Sequence, residues 1–154
     1  MAIALLALPV FADDLSFDPD ATEACLADGG AETCIGLSAD ACMESEYGSS
    51  TVGMGFCLGE ELSLWDTRLN DVYGALLASE READRVISEA GGNAPPRASA
   101  LRDMQRAWIG FRDAACVYEY AQWGGGTGGN PAYVACLMRI TAEQALALEA
   151  RLAR

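Results

Sequence analysis

Six cysteines and 23 carboxylates are the main groups with chemical potential in this 154-residue chain, which contains no histidine and no lysine. Without imidazole or a side-chain amine there is no Ser–His or Cys–His dyad, no Schiff-base lysine and no histidine acid or base. Two carboxylates can in principle hydrolyse a glycoside, and Glu60, Glu61, Asp66 and Asp113 are the candidates. In a chain so rich in carboxylates such a pairing discriminates nothing, so no catalytic residue and no enzyme activity is expected. Zinc is disfavoured by the lack of both histidine and a C-x-x-C pair. Asp18-x-Asp20 lacks the glycine and glutamate of a calcium loop and reads as a solvated acidic turn. No metal and no cofactor is expected. The GGGTGG run, Gly124 to Gly129, has neither the lysine nor the preceding strand of a phosphate loop. It reads as a flexible connection whose edge, Trp123, Gly125, Gly126 and Thr127, is a candidate contact with a partner.

The cysteines are better explained as staples. Residues 1–12, MAIALLALPVFA, form an apolar run with Val10 and Ala12 at −3 and −1 of a cleavage point before Asp13, the pattern of a secretory signal peptide. No arginine or lysine precedes the run, so its start is expected to be truncated. No cysteine follows directly, so no lipid anchor is expected, and no stretch approaches the roughly 20 apolar residues of a membrane span. Export to an oxidising compartment, periplasmic or extracellular, makes Cys25, Cys34, Cys42, Cys57, Cys116 and Cys136 a disulfide framework. Six cysteines allow 15 pairings. Proximity favours Cys25–Cys34 and Cys42–Cys57, and Cys116 and Cys136 would then clip the helices flanking the glycine loop.

The charge is segregated. All 13 acidic residues of the first 66 stand without a basic one, whereas the remaining 88 residues hold 10 acidic residues and 10 arginines. The net charge of −13 therefore lies in the N-terminal part. Phosphate backbones demand a basic surface, so nucleic acid is an unsuitable partner. A cationic protein is the suitable one.

These residues are positioned by helices. Leu101, Met104, Trp108, Phe111, Ala115 and Tyr118 fall in steps of three and four, the spacing of one buried face. That stretch is expected to be the central helix, preceded by Pro95 and Pro96. Trp108→Ala should then cost about 3–5 kcal/mol. Leu58, Leu62, Trp65, Leu69, Val72, Tyr73 and Leu76 mark a long helix from about Val52 to Glu80, with Glu60, Glu61, Asp66, Arg68 and Asp71 outside and Asp66–Asn70 as a polar pair. Residues 81–89 extend it or start another, and Gly91-Gly92 and the two prolines end it. Val134, Leu137, Thr141, Ala145, Leu148 and Leu152 mark a last amphipathic helix. Two short helices, one capped by Asp20 or Thr22 and one by Ser38, precede them. The expected fold is all-α, a small antiparallel bundle of three long helices plus short N-terminal ones, stapled by disulfides. Arg112 reads either as a structural arginine, bonded to a helix end or to an acid such as Asp66, or as a surface anchor. Asp113 should point elsewhere.

The run Cys57…Glu61…Trp65-Asp66…Asn70…Tyr73, then Gln105-Arg106-Ala107-Trp108…Phe111-Arg112-Asp113…Cys116, then Gly125-Gly126 and Cys136-Leu137, resembles the LprI-like lysozyme-inhibitor domain family. The resemblance covers about Cys42 to Leu152. It divides the chain into a leader at 1–12, an acidic extension at 13–41 and a helical domain at 42–154. It implies an exported all-helical bacterial domain and suggests that Cys116 pairs with Cys136. It makes Trp65, Asp66, Asn70, Tyr73, Gln105, Trp108, Arg112 and Asp113 the family-motif residues. The function it implies is a non-enzymatic binding module that inhibits a lysozyme or related cationic glycan hydrolase. The alternatives are an envelope protein with another protein partner and, remotely, a carboxylate-based hydrolase.

Overall fold

The computed structural model describes residues 15–154; the leader at 1–12 and the start of the acidic extension lie outside the described residues. Helices α1 (Asp20–Ala27) and α2 (Leu37–Met43), with a 3-10 turn at Glu32–Cys34 between them, precede three long helices, α3 (Thr51–Glu89), α4 (Arg97–Ala121) and α5 (Gly129–Leu152). The described residues form no strand. The fold is all-α.

The organising element is α3, 39 residues long, not α4. Ser50 starts it, its hydroxyl accepting from the Gly53 amide at 3.0 Å. The helix stops at Ala90, followed by Gly91 in a left-handed conformation. Residues 81–89 continue the same helix rather than starting another. Its buried stripe is Cys57, Leu58, Glu61, Trp65, Leu69, Val72 and Leu76. That stripe packs on Met138, Ala142, Ala145 and Leu148 of α5, with Leu101 of α4 closing one edge.

Only Ala98, Leu101 and Cys116 of α4 are buried, whereas Phe111 is 62% and Tyr118 is 68% exposed. The expected single buried face is therefore split. A helix turns 3.6 residues per cycle, so an i→i+3 step falls about 60° back from its start. Leu101, Trp108 and Ala115 keep to one line, whereas Phe111 and Tyr118 turn away from the bundle and, of their line, only Met104 still packs against the core. A seven-residue repeat also drifts about 20° per heptad on a straight helix. Trp108 is half-buried between the main core and a smaller cluster of Cys116, Cys136 and Ile140. The full cost expected for removing a buried tryptophan consequently belongs to Trp65.

Three disulfides join the chain: Cys25–Cys34, Cys42–Cys57 and Cys116–Cys136, with Cα separations of 5.6, 5.7 and 5.5 Å. The first holds α1 to the 3-10 turn, the second α2 to α3, and the third α4 to α5 across the glycine loop.

The start of α4 is capped from another helix. Asp84 of α3 accepts from the amides of Arg97 and Ala98 at 2.8 and 3.0 Å. The Ala98 bond first and the Arg97 bond second hold its carboxyl below the usual aspartate range. A depressed folded value means the stabilisation is present above the unfolded aspartate pKa and vanishes as pH falls through the folded one. Asp84→Ala is thus expected to lower the melting temperature at neutral pH, with the gap to the parent closing in acid as pH falls below the ordinary aspartate value of about 3.9. Equal gaps in melts at both pH values would show that the cap contributes nothing through its charge.

Candidate binding surface

The acidic N-terminal segment is fastened to the bundle by one carboxylate. Glu61 is fully buried. Its Oε1 accepts from the Gly36 amide at 2.7 Å, the Trp65 indole Nε1 at 3.0 Å and the Thr22 hydroxyl at 3.2 Å. Its Oε2 accepts from the Ala39 amide at 2.7 Å. These donors come from α1, the start of α2 and α3, so one side chain of α3 caps α2 and ties down α1. Gly36 presents its N–H from a left-handed φ of +97°, a conformation any side chain would strain. Thr22 and Ser38 complete the joint: each backbone amide donates to the other's hydroxyl, at 3.0 and 3.1 Å. Neither Thr22 nor Ser38 caps its helix as the sequence suggests. Pro19 and Gly36 stand at the N-caps, and Asp18, two residues back, accepts from the Asp20 amide. Partial burial, then the charges of Glu61 and Glu44, hold Asp40 above the usual carboxylate range.

Glu61 was expected on the outer face of its helix, and the structure reverses that. The signal was in the spacing, since Glu61 lies four residues after Cys57 and four before Trp65, on the buried line. Its burial with every oxygen occupied also removes it from any pair of hydrolytic carboxylates. Of the others, Asp66 accepts from Asn70 at 3.0 Å on the surface and Asp113 pairs with Arg112.

The family-motif residues divide between core and surface. Trp65 is buried, and Tyr73 packs half-buried against the same core. Gln105 ties α4 to α5, its side-chain oxygen accepting from Gln144 at 3.0 Å. The Arg112 guanidinium lies 5.1 Å above the Trp108 ring and donates to Asp113 Oδ1 from Nε and Nη2 at 2.9 and 2.8 Å. Asp113 therefore points toward Arg112, not away, because the long arginine side chain bends along the helix surface to its neighbour. Asp66 and Arg112 line one shallow depression of about 410 Å³ with Leu62, Ser63, Thr67 and Leu137, but each is bonded elsewhere, Asp66 to Asn70 and Arg112 to Asp113.

At the far end of α4 two aromatic rings pack on the glycines of the loop. Gly124 and Gly125 turn the chain with φ of +56° and +85°. The Trp123 ring then lies flat on Gly128, where any Cβ would occupy the same space as the ring. Tyr120 lies against Gly129 and meets Tyr133 edge-to-face, with ring centroids 6.5 Å apart. Trp123 nevertheless remains 49% exposed. Gly125, Gly126 and Thr127 lie exposed beside it. The loop thus seats an accessible tryptophan against its own glycine, with Cys116–Cys136 joining the flanking helices.

Fold and surface together define a disulfide-stapled helical scaffold. The chain belongs to the lysozyme inhibitor LprI family, which matches residues 42–148. Among curated proteins it is similar to an uncharacterized 17.7 kDa protein in the puhA 5′ region of Rhodobacter capsulatus. The two are 26% identical over 118 residues, spanning 76% of this chain and 73% of the relative. An uncharacterized protein of Rhizobium meliloti (strain 1021) is 25% identical over 100 residues, 65% of this chain and 72% of that one. No solved structure matches. No helix among the described residues is long and apolar enough to cross a membrane.

Proposed function

We propose that this chain is an exported, non-enzymatic inhibitor of a lysozyme or related cationic glycan hydrolase, engaging it through the Trp123 edge. The family match supports the class of partner, and the geometry of Trp123 carries the choice of surface. Interface energy concentrates in aromatic residues that enter the partner's pockets. Affinity is greatest when such residues are ordered before binding. An exposed indole laid on Gly128 meets both conditions. The acidic segment, tied in place by Glu61, steers the basic partner. That contribution weakens as the Debye length falls from roughly 30 Å at 0.01 M salt to 8 Å at 0.15 M.

Titration of lysozyme activity with the oxidised protein tests the reading. Stoichiometric inhibition that survives physiological salt is expected. Trp123→Ala should raise the inhibition constant about 30-fold, or roughly 2 kcal/mol, with an unchanged melt. No inhibition at either salt would refute the hydrolase partner. Inhibition present only at low salt would reduce it to attraction between an acidic and a basic protein. Full inhibition by Trp123→Ala would move the contact elsewhere.

A further inference from the structure

Most arginines of this chain are spent on its own carboxylates, and the exceptions are not scattered evenly. Arg68, Arg85, Arg97, Arg106, Arg112 and Arg139 each meet an acid. Arg81, Arg102, Arg151 and Arg154 form no ion pair among the described residues. Two of these four, Arg151 and Arg154, line a single cleft of about 460 Å³ together with Arg97. Arg97 is itself loosely held. Its contact with Glu80, at 3.5 Å, is the longest ion pair among the described residues, and its side chain stays 60% exposed. The cleft lies where α5 stops at Leu152 while α3 runs on to Glu89. There the end of α5 and the start of α4 meet beside Leu76, Ser79 and Ala83 of α3.

Local structure explains only part of this gathering. Arginines at the end of α5 offset the negative end of its macrodipole, which accounts for Arg151 and Arg154. Arg97 begins α4, at the positive end, where a cation is disfavoured. Three guanidiniums and the one carboxylate of Glu80 leave the side chains of the cleft a charge of +2. The neighbouring acids are committed elsewhere, Asp84 to the amides of Arg97 and Ala98 and Glu149 to Arg68. Like charges brought together repel, and an anion in the cleft relieves that repulsion. Guanidinium forks match the paired oxygens of a phosphate or a carboxylate. The charge chooses between them, because a phosphomonoester carries about −1.5 to −2 at neutral pH and a carboxylate only one negative charge. Ser79 adds a hydroxyl, and Leu76, Ala83 and Leu152 supply apolar surface for the carbon substituent.

We propose that this cleft binds the terminal phosphoryl group of a phosphomonoester, held by Arg97, Arg151 and Arg154. A soluble ester and a lipid ending in a phosphate share that chemistry. NMR titration of the oxidised protein with phenyl phosphate at constant ionic strength tests the site, with no hydrolase present. Saturable shifts confined to the amides around Ser79, Arg97, Arg151 and Arg154 are expected. Benzoate, with the same ring and a single charge, should bind more weakly. The double variant Arg151→Gln, Arg154→Gln should raise the dissociation constant at least about 10-fold with an unchanged melt. Glu80→Gln should lower it, because it frees Arg97 and removes the one competing carboxylate, a gain that a merely structural role for these charges does not produce. Vesicles of phosphatidylcholine containing phosphatidate separate the sources. Cosedimentation that the double variant loses assigns the phosphate to a lipid, and phenyl phosphate binding without cosedimentation assigns it to a soluble ester. Absence of saturable shifts, or shifts spread equally over Arg81, Arg102 and the other exposed arginines, would overturn the proposal. So would benzoate binding as tightly as phenyl phosphate, or an affinity indifferent to the double variant. An unchanged affinity in Glu80→Gln would remove Arg97 from the site.

Discussion

Glu61→Ala is expected to destabilise the fold by about 3–5 kcal/mol, a large share of the roughly 5–15 kcal/mol that holds a typical domain together. The substitution removes one side chain but leaves three donors without an acceptor, the amides of Gly36 and Ala39 and the Trp65 indole, and leaves the Thr22 hydroxyl only the Cys34 carbonyl at 3.4 Å. Each buried donor left unmet costs about 1–3 kcal/mol, less whatever water recovers. The loss should be local first. Amide exchange at Gly36 and Ala39 should accelerate well before α3 and α5 open, because α1 and α2 hang on this joint and on two disulfides. Glu61→Gln preserves the shape and one oxygen but turns an amide N–H toward a backbone N–H, so an intermediate loss is expected. Denaturant unfolding of the oxidised proteins measures both. A change below about 1 kcal/mol in the alanine variant would mean that water replaces the carboxylate without strain.

Trp65→Ala should cost a comparable 3–5 kcal/mol, through a cavity rather than through lost polar partners. Trp65 is fully buried at the meeting of α3 and α5, where it packs with Leu69, Met138, Ala142 and Leu148. Trp108→Ala should cost clearly less, since that ring is half-exposed and supports Arg112 as much as it fills the core. Reversal of that order in denaturation experiments would mean that the α4 contact, not the α3–α5 pair, is the stabilising centre. Because the Trp65 indole donates to Glu61, the two losses should also combine to less than their sum. The shortfall in a double-mutant cycle measures the coupling, and strict additivity would show that the bond contributes little.

Much of this architecture is legible before folding. The breaks at Gly91-Gly92 and at Gly124–Gly129 separate three amphipathic stretches, each long enough to be a helix. The stripe from Leu58 to Leu76 marks the buried side of α3, where Leu62 and Tyr73 lie at its half-exposed margins. Trp123, at the edge of the glycine run, is likewise visible as a candidate contact. The seat of its ring is not, because only the tertiary structure brings that ring onto Gly128.

The order and breaks of the helices follow from the sequence by itself, because periodicity, glycine and proline act over a few residues. So does the segregation of charge. The tertiary structure alone decided that α4 flanks the bundle instead of occupying its middle, and that Glu61 lies inside. Helical spacing shows that a face is apolar, but what covers it depends on neighbours far away in the chain. The six large residues from Leu101 to Tyr118 form one stripe on paper, yet α5 and α3 together reach only part of it. A glutamate is stable in the interior only if donors converge on it, and here they arrive from residues 22, 36 and 39, brought within reach by the packing they help to complete.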